Sequence, residues 1–107
     1  MDWIGHHNDT AHWGTGMDLW GPTEVEAVGF EYPRDRAVWN SAVNYEVLCK
    51  YEAGFTTSLS NKHPMGCKWI GENGWVYIDR PTVRASDPEL TKESFDRGKI
   101  TVYHSPE

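Results

Sequence analysis

The sequence lacks a long apolar run, since no uncharged apolar stretch approaches the roughly 18 residues that a membrane helix needs. Met1 is followed directly by Asp2 and two histidines, so no secretory signal is predicted either. We therefore expect no membrane partner. The cytoplasm is the default compartment, and any export signal would lie upstream of this chain.

Basic clusters and phosphate-binding loops are also missing. Lysine and arginine total 10 against 16 acidic residues, which gives a net charge of −6, and the basic residues are scattered. This distribution offers no electrostatic surface for nucleic acid, so no nucleic-acid partner is expected. Neither G-x-G-x-x-G nor G-x-x-x-x-G-K-[ST] occurs, so we predict that this chain binds no dinucleotide cofactor.

Cysteine is scarce, because only Cys49 and Cys67 are present, each in its own apolar run. Two cysteines with no second pair do not form a zinc knuckle or a disulfide framework, and they are expected to be two buried thiols. Aromatic residues are abundant by contrast, with 6 Trp, 5 Tyr and 3 Phe. A chain of 107 residues suits one domain, residues 1–107, whose core requires fewer rings than this. Some of the rings are therefore expected to face a ligand or another chain.

The order of the predicted elements indicates the fold class. One helix over 2–14, ended by Gly14 and Gly16, precedes a series of alternating segments with turn residues between them. The predicted strands are 25–32, 42–51, 55–59, 66–71, 75–79, 82–86 and 99–104, with a second helix at 87–95. This order predicts an α+β fold with a mainly antiparallel open sheet, the N-terminal helix packed on one face, and no Rossmann domain. Trp69 and Trp75 are expected to pack across the hairpin formed by 66–71 and 75–79.

Titratable side chains are concentrated in the N-terminal helix. At about 100° per residue, Asp2, His6, Asp9 and Trp13 fall within one wedge of about 60°, while His7 points to the far side. A carboxylate one turn before an imidazole can accept its N–H and fix its tautomer, so the spacing permits an Asp–His dyad for proton transfer. The alternative is that Asp2 caps the helix and that the histidines are solvated or structural.

A metal site on the same helix is disfavoured. His6, Asp9 and His12 could in principle share an ion, but His6 and His12 lie about 120° apart around the helix axis. No H-E-x-x-H motif or second ligand cluster is present. We therefore predict no metal ligands.

Several segments together carry a family resemblance. They are D-W-I-G-H-H-N-D (2–9), A-H-W-G-T-G-M-D (11–18), G-P-T-E-V-E (21–26), N-Y-E-V-L-C-K-Y-E-A-G (44–54) and G-C-K-W-I-G-E-N-G-W-V-Y-I-D-R (66–80). Over about residues 2–88 the chain resembles the C-terminal substrate domain of the Gfo/Idh/MocA oxidoreductases, the family of glucose-fructose oxidoreductase and inositol dehydrogenase. The most specific part is Asp-x-x-x-His-x-x-Asp combined with the late Gly-x-x-G-W-V segment.

The resemblance implies roles for four residues. In that family the domain is an open antiparallel sheet flanked by helices, and the Asp and the His sit beside the nicotinamide and a sugar-like substrate. By position, His6 is the acid/base candidate, Asp2 is its partner or a ligand of a substrate hydroxyl, and Asp9 is the second Asp, assigned to substrate binding. The family commonly has Gly where this chain has Ile4, so His7 is kept as a substitute for His6 in contacting substrate.

The resemblance also implies a function for the chain. The dinucleotide domain and the Glu-Lys-Pro segment with the family's catalytic Lys would precede Asp2, so we expect a fragment or a truncated descendant. The expected function is the substrate-binding and oligomerisation domain of an oxidoreductase that uses NAD or NADP and acts on a sugar, polyol or related small hydroxylated substrate. Such a domain is not catalytically complete by itself.

The alternative is a stand-alone β-sheet module for binding or self-association, without enzymatic activity. In either case we expect a homo-oligomer formed through a sheet face, because the strand with Trp75 and Tyr77 on one face carries Val76 and Ile78 on the other.

Overall fold

The computed structural model describes residues 3–35 and 38–92. It contains one α-helix, six strands and one short 3₁₀ turn. In chain order these are α1 (Trp3–Thr15), β1 (Glu24–Glu31), β2 (Asn44–Lys50), β3 (Thr56–Ser60), β4 (Cys67–Gly71), β5 (Gly74–Asp79), β6 (Thr82–Ala85) and the 3₁₀ turn Pro88–Thr91. The predicted helix at 87–95 is only this turn within the described residues, and the predicted strand 99–104 lies outside them.

The strands form two antiparallel sheets. Sheet A has the order β1-β2-β3 and sheet B has the order β4-β5-β6. The α+β class with antiparallel sheets is confirmed, and no Rossmann unit occurs in the part of the chain that the structure describes. The sequence predicted one sheet, whereas the strands divide between two because β3 and β4 do not pair.

Sheet A has one apolar and one polar face, as the alternation in β2 predicts. Val47 lies opposite Ala27 and Leu59 on the apolar face, and Cys49 on the same face is buried. In β1 the register shifts between Ala27 and Gly29, so one extra residue is inserted there. This bulge brings Phe30 opposite Tyr45 on the apolar face.

The C-terminus of α1 is fixed by a glycine. Gly16 has a φ of 71°, a left-handed conformation that glycine adopts without a steric penalty. Its N–H donates to the carbonyl of Trp13 at 3.2 Å, and the N–H of Met17 donates to that of His12 at 2.8 Å. These two bonds form a Schellman motif, so the predicted helix end is confirmed.

Helix α1 connects the two sheets, because it contacts β3 of sheet A and β4 of sheet B. One stripe of the helix is half-buried at the spacing of a helix face, namely Ile4, His7, Asn8, Ala11, His12 and Thr15. On sheet B, Trp69 of β4 lies against Gly14, where a Cβ atom would come 2.8 Å from the indole.

The two tryptophans of the β4–β5 hairpin lie on opposite faces of sheet B. Trp69 pairs with Val76, and Trp75 pairs with Ile70. Because neighbouring residues in a strand alternate between faces, Trp69 points towards α1 and Trp75 points away from it. The expectation that they pack on each other is therefore wrong.

The core of the described residues is small. Only Cys49, Tyr51 and Cys67 are buried, and both cysteines are free thiols, as predicted. Many large apolar side chains remain exposed on both sheets, among them Val25 and Phe30 of sheet A and Ile70, Ile78 and Val83 of sheet B. One helix cannot cover both sheets, so much of their apolar surface is open.

Candidate functional site

The outward face of α1 carries two of the three predicted site residues that the structure describes, His6 and Asp9. His6 and Asp9 are both exposed, and Trp13 on the same face is 62% exposed. His7 is half-buried on the opposite side, as the helical spacing predicts. Asp2 lies outside the described residues. His6 and Asp9 therefore share one open surface, which we call the outward face.

His6 is free to meet a ligand. Its backbone carbonyl accepts a hydrogen bond from Thr10 Oγ1 at 2.9 Å, a contact within the helix that leaves the imidazole unused. The imidazole lies 5.9 Å from the Trp3 ring, centroid to centroid, at an angle of 53°. Among the described residues, neither ring nitrogen has a hydrogen-bond partner. An exposed imidazole with no internal partner can exchange a proton with a bound hydroxyl group.

The Trp3 indole is the centre of a cluster at the start of α1. The His7 ring stacks on it at 6.4 Å and 22°, and the Arg80 guanidinium lies 4.7 Å from its centroid. Arg80 directly follows β5, so sheet B brings this cation next to the histidines of α1. We call Trp3, His6, His7 and Arg80 the Trp3 cluster.

His7 also anchors α1 to sheet B. Its carbonyl accepts a hydrogen bond from Cys67 Sγ at 2.9 Å, beneath the helix. Burial raises the pKa of the Cys67 thiol, which keeps it protonated and able to donate. His7 therefore combines a structural contact through its backbone with a ring that touches Trp3.

His12 is engaged on the inward side of α1. Its Nε2 lies 2.6 Å from the Tyr51 hydroxyl, and the two rings meet edge to face. Tyr51 in turn stacks on Phe55 at 4.5 Å between centroids. Because His12 faces Tyr51 while His6 and Asp9 face outward, these three side chains do not converge on one ion. No group of metal-ligating side chains is found within 3–35 and 38–92.

An open groove of about 380 Å³ lies beside Tyr51. Met17, Trp20 and Thr23 line it from the loop between α1 and β1, and Glu52 and Ala53 line it from the turn after β2. The groove is separate from the outward face, since none of the Trp3 cluster residues lines it.

Sequence reasoning missed the His12–Tyr51 pair and the place of Arg80. The first had a signal: His12 shares a helix stripe with Ile4 and Asn8, and Tyr51 extends the apolar face of β2. Arg80 had none, because it precedes a proline at the end of a strand, where an exposed arginine is unremarkable. Only the docking of α1 on sheet B brings it to Trp3.

The chain matches no protein-family model, no curated protein and no solved structure in the three comparisons made. The helix in the described ranges is too short and too polar to cross a bilayer.

Proposed function

We propose that this chain is the substrate-binding and oligomerisation domain of an NAD(P)-dependent oxidoreductase that acts on a sugar, polyol or related hydroxylated substrate. The observation that carries the proposal is the outward face of α1. It presents the His6 imidazole, which has no hydrogen-bond partner among the described residues, and the Asp9 carboxylate, between the exposed indoles of Trp3 and Trp13. Such a face is what one half of a site for a hydroxylated ligand requires.

The roles follow from the chemistry of these side chains. In its neutral form, His6 accepts a proton from a substrate hydroxyl and returns it in the reverse direction. The Asp9 carboxylate accepts hydrogen bonds from further hydroxyl groups of the substrate and so orients the substrate. Asp2 is proposed as the partner of His6, and His7 as a further substrate contact through the Trp3 cluster. The sequence has no glycine-rich motif for a pyrophosphate, so in this proposal NAD or NADP is bound by a separate domain.

The exposed apolar surface supports the oligomerisation part of the proposal. Val25 is 61% exposed on the apolar face of sheet A, and Ile70 is 77% exposed on sheet B. Burial of such a patch against a second copy removes it from water and satisfies both copies at once. Light scattering on the purified chain is expected to give a dimer or tetramer. A monodisperse monomer would contradict this.

The same surface favours a second candidate, a stand-alone module for binding or self-association without enzymatic activity. Few side chains are buried among the described residues, so both sheets keep apolar surface that association with another chain would bury. In such a module the histidines of α1 bind no ligand, whereas in the substrate-binding domain proposed above His6 binds the substrate.

Titration of the ¹⁵N-labelled chain with myo-inositol and with D-glucose separates the two candidates. We expect saturable shifts of the amide signals of His6 and Asp9, and loss of binding in His6→Ala. His63→Ala is the matched control, because His63 is an exposed histidine that bonds Ser58 on sheet A. Calorimetry with NADH and NADPH should show no binding. Absent shifts, or equal effects of the two histidine substitutions, contradict the proposed site.

A further inference from the structure

Resting on the proposed function, we propose that Arg80 is a specificity-determining residue that binds an anionic group of the substrate. The preferred substrate is then an acidic sugar or polyol derivative, one that carries a carboxylate or a phosphate, rather than a neutral sugar. The inference comes from the Trp3 cluster, which adds a permanent cation to the proposed hydroxyl-binding face.

The structure places Arg80 beside the same indole as His6 and His7. Its guanidinium lies 4.7 Å from the centre of the Trp3 indole. The His6 ring lies 5.9 Å and the His7 ring 6.4 Å from the same centre. Because both groups border the same indole, a sugar derivative that gives a hydroxyl to His6 would bring its anionic substituent to Arg80 past the edge of Trp3 in this proposal. Both imidazoles can also donate an N–H to such a group.

Arg80 is available for a ligand. The ion pairs within the described ranges are Lys50–Glu24, Lys62–Glu31 and Lys92–Glu89, and none includes it. The nearest carboxylate on its own strand, Asp79, accepts the backbone N–H of Arg80 at 2.7 Å. A guanidinium that lies over an indole keeps the N–H groups at its rim free for bidentate contacts.

The stacking also lowers the cost of binding an anion. A long side chain loses rotamer freedom when it grips a ligand, but Arg80 is already held over Trp3 by a cation–π contact. A planar guanidinium matches the paired oxygens of a carboxylate or phosphate, which an ammonium group does not. A neutral hydroxyl gains less from such a cation than an anionic oxygen does, because charge-assisted hydrogen bonds are stronger.

The test compares three ligands at constant ionic strength: sodium D-gluconate, D-glucose 6-phosphate and D-glucose. Binding is measured from the indole N–H signal of Trp3 and the amide signals of α1 in the intact chain. Arg80→Gln is expected to weaken binding of the preferred anionic ligand about tenfold or more, since it removes a charge-assisted hydrogen bond, and to leave glucose binding unchanged. Arg80→Lys keeps the positive charge but removes the paired N–H donors of the guanidinium, so it should cause an intermediate loss of affinity.

Lys68→Gln is the matched control, because Lys68 lies 4.6 Å from the centre of the Trp75 ring, a second cation–indole pair among the described residues, on the face of sheet B that points away from α1. It should leave all three affinities unchanged. Tighter binding of glucose 6-phosphate than of gluconate would support a phosphate as the anionic group, and the reverse order would support a carboxylate.

Glucose binding as tight as that of both gluconate and glucose 6-phosphate, or equal losses in Arg80→Gln and Lys68→Gln, would overturn the role of Arg80 while leaving the proposed hydroxyl-binding site in place. Absence of any shift with all three ligands would overturn both. If the amide signals of Arg80→Gln match those of the parent chain at residues distant from Trp3, the fold of the variant is intact. Arg80→Lys tests the same contact with a second variant.

Discussion

Two glycines of α1 provide a test of how the helix docks on sheet B. Alanine is favoured over glycine inside a helix by up to about 1 kcal/mol. At Gly5 an added Cβ meets nothing within 4 Å, so Gly5→Ala should stabilise the chain by about 0.5–1 kcal/mol. At Gly14 the added Cβ would lie 2.8 Å from Cζ2 and 3.1 Å from Cε2 of Trp69. The rigid indole must move, and overpacking of this kind costs about 1–3 kcal/mol.

The helix gain at Gly14 therefore does not offset the steric cost, and Gly14→Ala should destabilise the chain by up to about 2 kcal/mol. Urea unfolding followed by circular dichroism measures both variants. In a Trp69→Leu background, Gly14→Ala should lower the free energy of unfolding by less than it does in the parent, because the two changes act on the same contact. Stabilisation of Gly14→Ala equal to that of Gly5→Ala would show that α1 does not rest on Trp69, and the Trp3 cluster would lose its basis.

Three further predictions concern single contacts. Tyr51→Phe leaves the half-buried His12 without its partner and should lower the free energy of unfolding by about 0.5–1.5 kcal/mol in urea; an unchanged value would contradict the contact. Hydrogen bonds from Asn44 and Lys62 hold the pKa of Glu31 below its ordinary value, so its stabilising effect is full above the ordinary value and is lost as the pH falls through the lowered one. Asn44→Ala removes one of these hydrogen bonds and should raise the pKa of Glu31, as measured by NMR titration of the carboxyl groups. An unchanged pKa would show that the hydrogen bond from Asn44 does not lower it. Burial raises the pKa of Cys67, so its thiol should react with a disulfide reagent more slowly than in urea; equal rates would contradict its burial.

Local patterns were enough to predict most of the elements. Alternation in Val47 and Cys49 marked β2 and its apolar face, and Gly16 marked the end of α1, since each signal depends on neighbours in the chain. Helical spacing likewise predicted that His6 and Asp9 share a face from which His7 is excluded. These features needed no knowledge of tertiary packing.

Long-range contacts were not predictable in the same way. The division into two sheets depends on β3 and β4 failing to pair, and the alternation within each strand does not indicate which strand it pairs with. The contacts of His12 with Tyr51 and of Arg80 with Trp3 join residues far apart in the chain. They depend on how α1 lies between the sheets, which periodicity within one segment does not specify.

The most direct test of the central claim is turnover in a chimera. A dinucleotide domain from a sugar-oxidising Gfo/Idh/MocA enzyme is fused ahead of this chain, and formation of reduced nicotinamide is followed with sugar and polyol substrates. If His6 on the outward face is the acid/base group, His6→Ala should lower kcat/KM about 10²–10⁴-fold, and His7→Ala should have a far smaller effect. A larger loss in His7→Ala, equal losses in both, or an inactive parent chimera would contradict the account.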